Sequence, residues 1–386
     1  MIEPPLPLDL RVLPPRIRMV FTHGGDGGGD CGGGEPGHES ATHLAVAGRV
    51  AALLGLPFGG ACEDGGVAAG SYLVPRAPIC GPLAALRYGI RGEGDLLGSW
   101  VHEGWMATKA IVHPLAAPDA QAPFGWPRLL AEEARALTLR GATAFCAADA
   151  LAAGRALLTR GPVRLKPAGA DGGRAQIVAR DEAELEAAIA SLSIAGALAD
   201  IVVVEENLEQ VETYSVGQLR LPDRTISYWG TQALTEDNQG AAAYGGSSLF
   251  VVPGGFDALL ACAMPAGSRE AVERAVAFDR LADRHIAGLI ASRRNYDVAR
   301  GLGPDGGLRT GVLEQSWRVG GATPAEIAAL EALAARPHAR AVRARCVEVY
   351  GECPIVPEGA TIYYRGCDPK MGPLTKYACV DETVEG

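Results

Sequence analysis

Two periods of apolar and polar alternation divide this chain into elements. "RIRMVFTHGG" reads as a short strand running into a loop, and "HESATHLAVAGRVAALLGL" spaces alanine, valine and leucine as a helix does. Between them "THGGDGGGDCGGGEPGHES" is so rich in glycine that ordering it is costly. A strand, a loop and a helix in that order predict an α/β unit at the start of the chain. From Trp126 onward the pattern is more regular. "PRLLAEEARALTL" is helical, "GATAFCAA" is a short apolar segment, and "DALAAGRALLTRG" is a second helix with Asp149 near its start. The runs "PVRLKP" and "RAQIVA" follow as strands, then the acid-led helix "DEAELEAAIASLSIAGAL" and the strand "DIVVVEENL". Residues 296–298 and 312–316 read as two further strands around a glycine-rich turn, and "AVRARCVEVYG" and "ATIYYRG" as added strands near the end. The pattern divides the chain into residues 1–106, 107–340 and 341–386.

Three places in this pattern carry chemistry. In the strand "VRLKP", Arg164 and Lys166 share one face while Val163 and Leu165 turn into packing. The following "AGADGG" can offer backbone amides to anionic oxygens, with Lys166 at its edge. Alone, this fits a structural hairpin as well as a nucleotide site. In "IVVVEENLEQVETYSV" an apolar strand ends on Glu205 and Glu206, with Glu212 after a short turn; such an end can serve an adenine edge and ribose hydroxyls, but taken alone it reads first as a solvated strand terminus. In "RRNYDVARGLGPDGGLRTGVLEQSWRVGG", pairing of the two strands brings Asp297 to Glu314, with the Ser316 oxygen on the same face. Two carboxylates beside phosphate oxygens suit Mg²⁺, although a charged hairpin facing solvent has the same pattern.

Composition narrows the classes of function. A net charge of -10 over 386 residues argues against nucleic acid as a partner. The first twenty residues carry prolines and charges where a secretory signal needs an unbroken apolar run, and longer apolar runs are interrupted by proline and glycine. The expectation is a cytoplasmic protein without a membrane partner. Nine cysteines show no CxxC pair, and Cys346, Cys353, Cys367 and Cys379 cluster only loosely near the end. His38 and His43, and His102 and His113, lack a third zinc ligand, and polar or packing roles suit them better. The first glycine run lacks the GxGxxG of a dinucleotide fold. Arg293 and Arg294 read either as receivers of a substrate carboxylate or as a solvated basic pair.

Taken together, the three places resemble an ATP-grasp domain over roughly residues 107–330, preceded by a small N-terminal α/β domain. "GVLEQSWRVGGA" and "IYYRGCDPKMGPLTKYACV" narrow the resemblance to a bacterial branch related to biotin-carboxylase-like ATP-grasp proteins. The implied fold class is mixed α/β and α+β, with two subdomains holding ATP between them. By this resemblance Lys166 contacts the phosphates, and Gly169, Asp171, Gly172 and Gly173 cover them. Lys109 is the leading second phosphate-binding residue, with Arg140 the alternative. Glu205 and the backbone at Asn207 and Leu208 face adenine, and Glu212 holds the ribose. Asp297 and Glu314, with Ser316 where the family often has asparagine, bind Mg²⁺, and Arg318 positions the transferred group. The implied activity is an ATP-dependent ligase that activates a small-molecule carboxylate as an acyl phosphate and passes it to an amine or related nucleophile. A small-molecule kinase, a catalytically degenerate ATP-binding protein and a small-molecule binding module without ATP stand as alternatives. A homo-oligomer is compatible with all of them.

Overall fold

The computed structural model of the chain describes residues 20–23, 37–62, 70–170, 175–193, 201–352 and 354–385. The first unit is a small parallel sheet in which Val20–His23 lies between Phe58–Cys62 and Tyr72–Pro75, with the helix His38–Leu53 packed on it. This is the α/β unit that the opening pattern predicts. The glycine run between its first strand and helix lies outside the described residues. The C-terminal hairpin reaches back to this helix, because Asp368 Oδ2 accepts the His38 backbone N–H at 2.8 Å. That carboxylate satisfies an amide that the first helical turn leaves without an internal partner.

The next unit is a four-stranded antiparallel sheet in the order Gly141–Ala144, Val202–Glu206, Val163–Pro167, Ile177–Ala179. Val163, Leu165 and Val204 are fully buried against the helices Ala147–Leu158 and Glu182–Ser193. The opposite face of the same strands is left for Arg164, Lys166 and Glu205, as a period of two requires.

The largest element is an eight-stranded antiparallel sheet. Its order is Leu308–Ser316, Arg293–Leu302, Glu209–Leu221, Arg224–Glu236, Ala242–Pro253, Ala339–Tyr350, Gly372–Glu385, Thr361–Asp368. Strand periodicity sorts its side chains between two cores. Tyr214, Val216, Tyr296 and Val298 pack with Val276 and Phe278 of the helix Ala266–His285. Leu219, Leu221, Tyr228 and Val251 pack with Val46 of the first helix and with Ala325 and Ile327 of the helix Thr323–Ala335. The glycine- and alanine-rich stretch "GTQALTEDNQGAAAYGG" forms most of a hairpin in this sheet. Asp237 closes its turn, with Oδ1 accepting from Gln239 N at 2.8 Å and Ala241 N at 3.0 Å.

The helix Thr323–Ala335 has no continuous polar stripe, so the charge it buries must be met inside the protein. Glu326 is fully buried and takes Arg293 in a two-pronged ion pair, Nε to Oε2 at 2.9 Å and Nη2 to Oε1 at 2.7 Å. The remaining Arg293 nitrogen donates to the carbonyls of Ser316 and Arg318. The Tyr228 hydroxyl donates to Glu326 Oε1 at 2.6 Å and lies 2.9 Å from Asn295 Oδ1. This crossing depends on Gly217, where a Cβ would stand 2.3 Å from that hydroxyl. Arg294 is also buried, held by Asp283 at 2.6 Å, Asp279 at 3.0 Å and Glu93 at 3.2 Å. The reading of Arg293 and Arg294 as receivers of a substrate carboxylate is therefore corrected. A guanidinium taken this far from water needs fixed acceptors, and both residues spend their donors on carboxylates and backbone carbonyls.

Removing one partner of such a pair strands the other. Glu326→Ala should lower unfolding free energy by about 3–5 kcal/mol, while the paired replacement Arg293→Met with Glu326→Leu should recover most of the loss. Urea unfolding of the three proteins measures both effects; equal stability of Glu326→Ala and the parent would contradict this account.

Candidate nucleotide and metal site

The site forms where the small sheet meets the edge of the large one. Lys166 is 3 % exposed, at the end of a strand whose alternate residues are anchored in the core. Its Nζ pairs with Oε1 of Glu205 on the neighbouring strand. The second oxygen of Glu205 lies 3.2 Å from His113 Nε2, and His113 is fully buried. Gly141 makes room for that ring, since a Cβ there would stand 2.7 Å from His113 Cε1. Burial opposes ionisation of Glu205, but Lys166 and then His113 outweigh it and hold the carboxyl down at about 2. The Glu205 side chain thus fixes Lys166, and its backbone lies at the strand end next to Asn207 and Leu208. Asn207 is tied on both sides, its N–H to the Pro162 carbonyl at 3.0 Å and its Oδ1 to Arg164 Nη2 at 2.8 Å. Leu208 is buried beside it.

The second lysine lies between the four-stranded sheet and the large sheet. The turn carrying Lys109 is stapled to the small sheet by Thr143, whose Oγ1 donates to the Ala110 carbonyl at 2.7 Å. It is stapled to the large sheet by Gln315, whose Nε2 donates to the Thr108 carbonyl. Lys109 is 5 % exposed, with Nζ 2.9 Å from Glu314 Oε2 and also donating to the Ala170 carbonyl. Ala170 follows Gly169 in the turn after the Lys166 strand; Asp171, Gly172 and Gly173 lie outside the described residues. One ammonium therefore touches both the glycine turn and an acid of the large sheet. Arg140, the alternative to Lys109, is largely exposed and pairs with Glu206 at 3.7 Å.

Asp297 and Glu314 face each other in register across adjacent antiparallel strands, and Ser316 faces Asn295 two pairs further on, on the same side of the sheet. The ladder slips by one residue just beyond Asp297, a bulge at the edge of the site. Oδ1 of Asp297 accepts from Gln232 Nε2 at 2.8 Å, Asn295 Nδ2 at 2.9 Å and Ser215 Oγ at 3.4 Å. Burial, and then the charge of Glu314, push the Asp297 carboxyl upward despite these donors. Arg318 lies half-buried after the second acid. A Cβ built on Gly320 would stand 3.6 Å from its Nη1 and 3.7 Å from Ser316 Oγ, so Arg318 and Ser316 border one space.

Glu212 is exposed beyond another irregularity. Pairing with the strand Arg293–Leu302 slips between Glu209 and Glu212, and Gln210 adopts a φ of 50°. Oε2 of Glu212 accepts the Tyr214 hydroxyl. Burial, and then that carboxylate, push the tyrosine hydroxyl up to about 12.

Sequence reasoning missed the residues that hold the site. Asn295 precedes Asp297 by two and so shares its face, a signal that strand period alone provides. His113 follows Lys109 by four, but nothing local marks Glu205 as its partner. Gln232 and Ser215 reach Asp297 only through strand pairing over long sequence distances. Of the terminal cysteines Cys353 lies outside the described residues, and among the described residues no group of three or more His, Cys, Asp or Glu side chains is placed to hold a metal ion.

The Glu205 carboxyl is held down in the folded chain, so its stabilisation is present above its ordinary value of 4.5 and is lost as pH falls through about 2. Acid unfolding followed by circular dichroism should therefore show a loss between those values that Glu205→Gln lacks, with the variant less stable at pH 7. Parallel acid limbs would contradict the pairing.

The family described as "Protein of unknown function (DUF3182)" matches residues 30–378. No curated protein sequence matches the chain. Among solved structures, biotin carboxylase from Campylobacter jejuni, in complex with β,γ-ATP, is similar with a TM-score of 0.53 at 10 % identity, covering 95 % of this chain and 88 % of that one. The biotin carboxylase domain of the Hydrogenobacter thermophilus 2-oxoglutarate carboxylase, in complex with MgADP, ADP and bicarbonate, gives a TM-score of 0.50 at 13 % identity, covering 94 % and 86 %. Among the described residues no helix is long and apolar enough to cross a membrane. The chain belongs to the family described as "Protein of unknown function (DUF3182)", and its fold is the mixed α/β and α+β ATP-grasp fold seen in these biotin carboxylase structures.

Proposed function

We propose that this protein uses ATP to convert a small-molecule carboxylate into an acyl phosphate and transfers the acyl group to an amine or related nucleophile. The observation that carries the proposal is the junction itself. Lys109 bridges the glycine turn and Glu314, while Glu314 faces Asp297 in register across the next strand. Phosphate chemistry needs that convergence: cations for the phosphate oxygens on one side, and paired carboxylates on the other. The solved structures with this fold include carboxylases bound to ATP analogues and MgADP, which supports the same ligand class here.

In this reading Lys166, held in place by Glu205 and His113, and Lys109 receive the phosphates beside the turn at Gly169 and Ala170. The backbone at Asn207 and Leu208 meets the adenine edge, and Glu212 the ribose. Asp297 and Glu314 suit Mg²⁺ by donor chemistry: both are oxygen ligands, and Asp297 has three donors on Oδ1, leaving Oδ2 for a cation. Ser316 adds a hydroxyl beside them. When bound there, Mg²⁺ neutralises the charge of the transferring phosphoryl group. A carboxylate oxygen of the substrate attacks the γ-phosphorus, and the bond to the β,γ-bridging oxygen breaks to release ADP. Arg318 stabilises the resulting acyl phosphate. The amine then attacks the acyl carbon, the carbon–oxygen bond to phosphate breaks, and the amine proton passes to solvent. No covalent bond to the protein is needed.

The test is an ATP- and Mg²⁺-dependent phosphate-release screen over pairs of carboxylates and amines, with product mass measured. ADP, phosphate and a condensed product are expected, and Lys166→Ala and Glu314→Gln should each lower kcat by about 100-fold or more, as loss of a charge acting on the transition state does. A stable phosphorylated product would assign a kinase instead. Full turnover in both variants would remove the proposed site.

A further inference from the structure

Arg164 is a charged group on the Lys166 strand that the phosphate chemistry leaves unused. It stands two residues before Lys166 and in register with Glu205, so the three side chains lie on one face of the four-stranded sheet. Toward Glu205 this face is closed. Lys166, Glu205 and Val203 are buried there, and Thr143 staples the turn that carries Lys109 and leads to His113 onto the same sheet. Toward the other edge it is open: Arg164, Gln176 and Val178 share that part of the face, Val178 in register with Arg164, and all three are half-buried.

The guanidinium is fixed without a carboxylate. Its Nε and Nη2 donate to Asn207 Oδ1 at 3.2 and 2.8 Å, and its Nη1 donates to Gln176 Oε1 at 3.0 Å. Glu205, its register partner, is already paired with Lys166 and His113. Among the described residues Arg164 makes no ion pair, in contrast to the buried Arg293 and Arg294. A guanidinium donates only in its own plane, so amide oxygens at its edge set its orientation and leave its faces without hydrogen bonds. Arg49, Arg87 and Arg343 lie over rings of the protein; among the described residues Arg164 does not. Its anchor belongs to the segment proposed to read the base. Leu208, next after Asn207, is buried in an apolar cluster with Leu139 and Ala299, and Leu313 packs against it. Leu208 thereby reaches the large sheet, where a Cβ on Gly301 would stand 3.3 Å from its own Cβ.

We infer that Arg164 is the base-recognising residue of the nucleotide site: the face of its guanidinium stacks on the adenine ring whose edge meets Asn207 and Leu208. The inference rests on the nucleotide reading proposed above and adds the residue that separates a nucleotide from a bare polyphosphate. A planar cation held by neutral partners keeps its charge for a π-face, and the apolar cluster at Leu208 suits the rest of the ring. The spacing fits the ligand, because residues two apart on a strand stand about 7 Å apart, which sets the stacked ring a ribose's reach from phosphates at Lys166. Arg164 touches the base alone, so it acts on nucleotide affinity and makes no contact with the reacting atoms.

The probes are Mg·ADP and Mg·tripolyphosphate, which carries phosphates without a base, each titrated into the full chain by calorimetry. The parent protein should bind both. Arg164→Lys keeps the charge and removes the planar fork, so Mg·ADP should bind more weakly by about fivefold or more while Mg·tripolyphosphate changes by less than about twofold. Where Arg164→Lys binds neither probe, Gln176→Leu decides: it removes one anchor of the guanidinium and no charge, and should weaken Mg·ADP alone. In the deciding variant, Mg·ADP affinity equal to that of the parent, or an equal loss for both probes, overturns the inference and leaves the nucleotide reading intact. A parent protein that binds tripolyphosphate and not ADP, or binds neither, removes the nucleotide reading and the inference with it.

Discussion

Two carboxylates facing each other across adjacent strands repel, and the architecture of this protein is arranged around that repulsion. Asp297 and Glu314 occupy one register pair at the edge of the large sheet. Like charges directly opposite destabilise a sheet, so the pair persists because surrounding groups compensate it. Lys109 meets Glu314, and three neutral donors meet Asp297. Each compensating group comes from a different element. Holding the acids together therefore also fixes the strands at residues 209–221, 224–236, 293–302 and 308–316 against the turn that carries Lys109.

Behind the acids a second set of charges performs a structural task. The pair of Arg293 with Glu326 ties the strand carrying Asp297 to a helix on the sheet's covered face, and the Arg293 contacts to the Ser316 and Arg318 carbonyls hold the segment after the second acid. Tyr228 joins this group to Asn295, which in turn donates to Asp297. A continuous polar path thus runs from a buried ion pair to the proposed metal ligands. Such a network rigidifies a site only when each member is satisfied, and Gly217 is the small residue that lets Tyr228 lie across the strand to complete it.

Much of the fold was legible in the sequence because its signals are local. Val163 and Leu165 alternate with Arg164 and Lys166, and the structure buries the first two on one face. The meeting of Asp297 with Glu314 followed from two strand-like runs around a glycine turn. Lys109 is buried and Arg140 is not, a difference that no single-residue signal gave. What was not legible was distant pairing. Arg293 and Arg294 carry the composition of a solvated basic pair or an anion site, and only the fold supplies Glu326, Asp279, Asp283 and Glu93 to bury them. His113 has no local mark of its contact with Glu205, 92 residues away. The hairpin around residue 239 was hidden by glycine and alanine, whose small side chains give little periodic signal even where strands pack closely.

The central claim is that Asp297 and Glu314 together hold a divalent cation against a nucleotide bound at Lys166. Electron paramagnetic resonance of Mn²⁺ added to the protein with ADP tests it most directly, because free and bound Mn²⁺ are counted in one spectrum. The account predicts ADP-dependent Mn²⁺ binding in the parent protein, lost in Asp297→Asn and in Glu314→Gln while both variants remain folded. Undiminished ADP-dependent Mn²⁺ binding in both variants would contradict it.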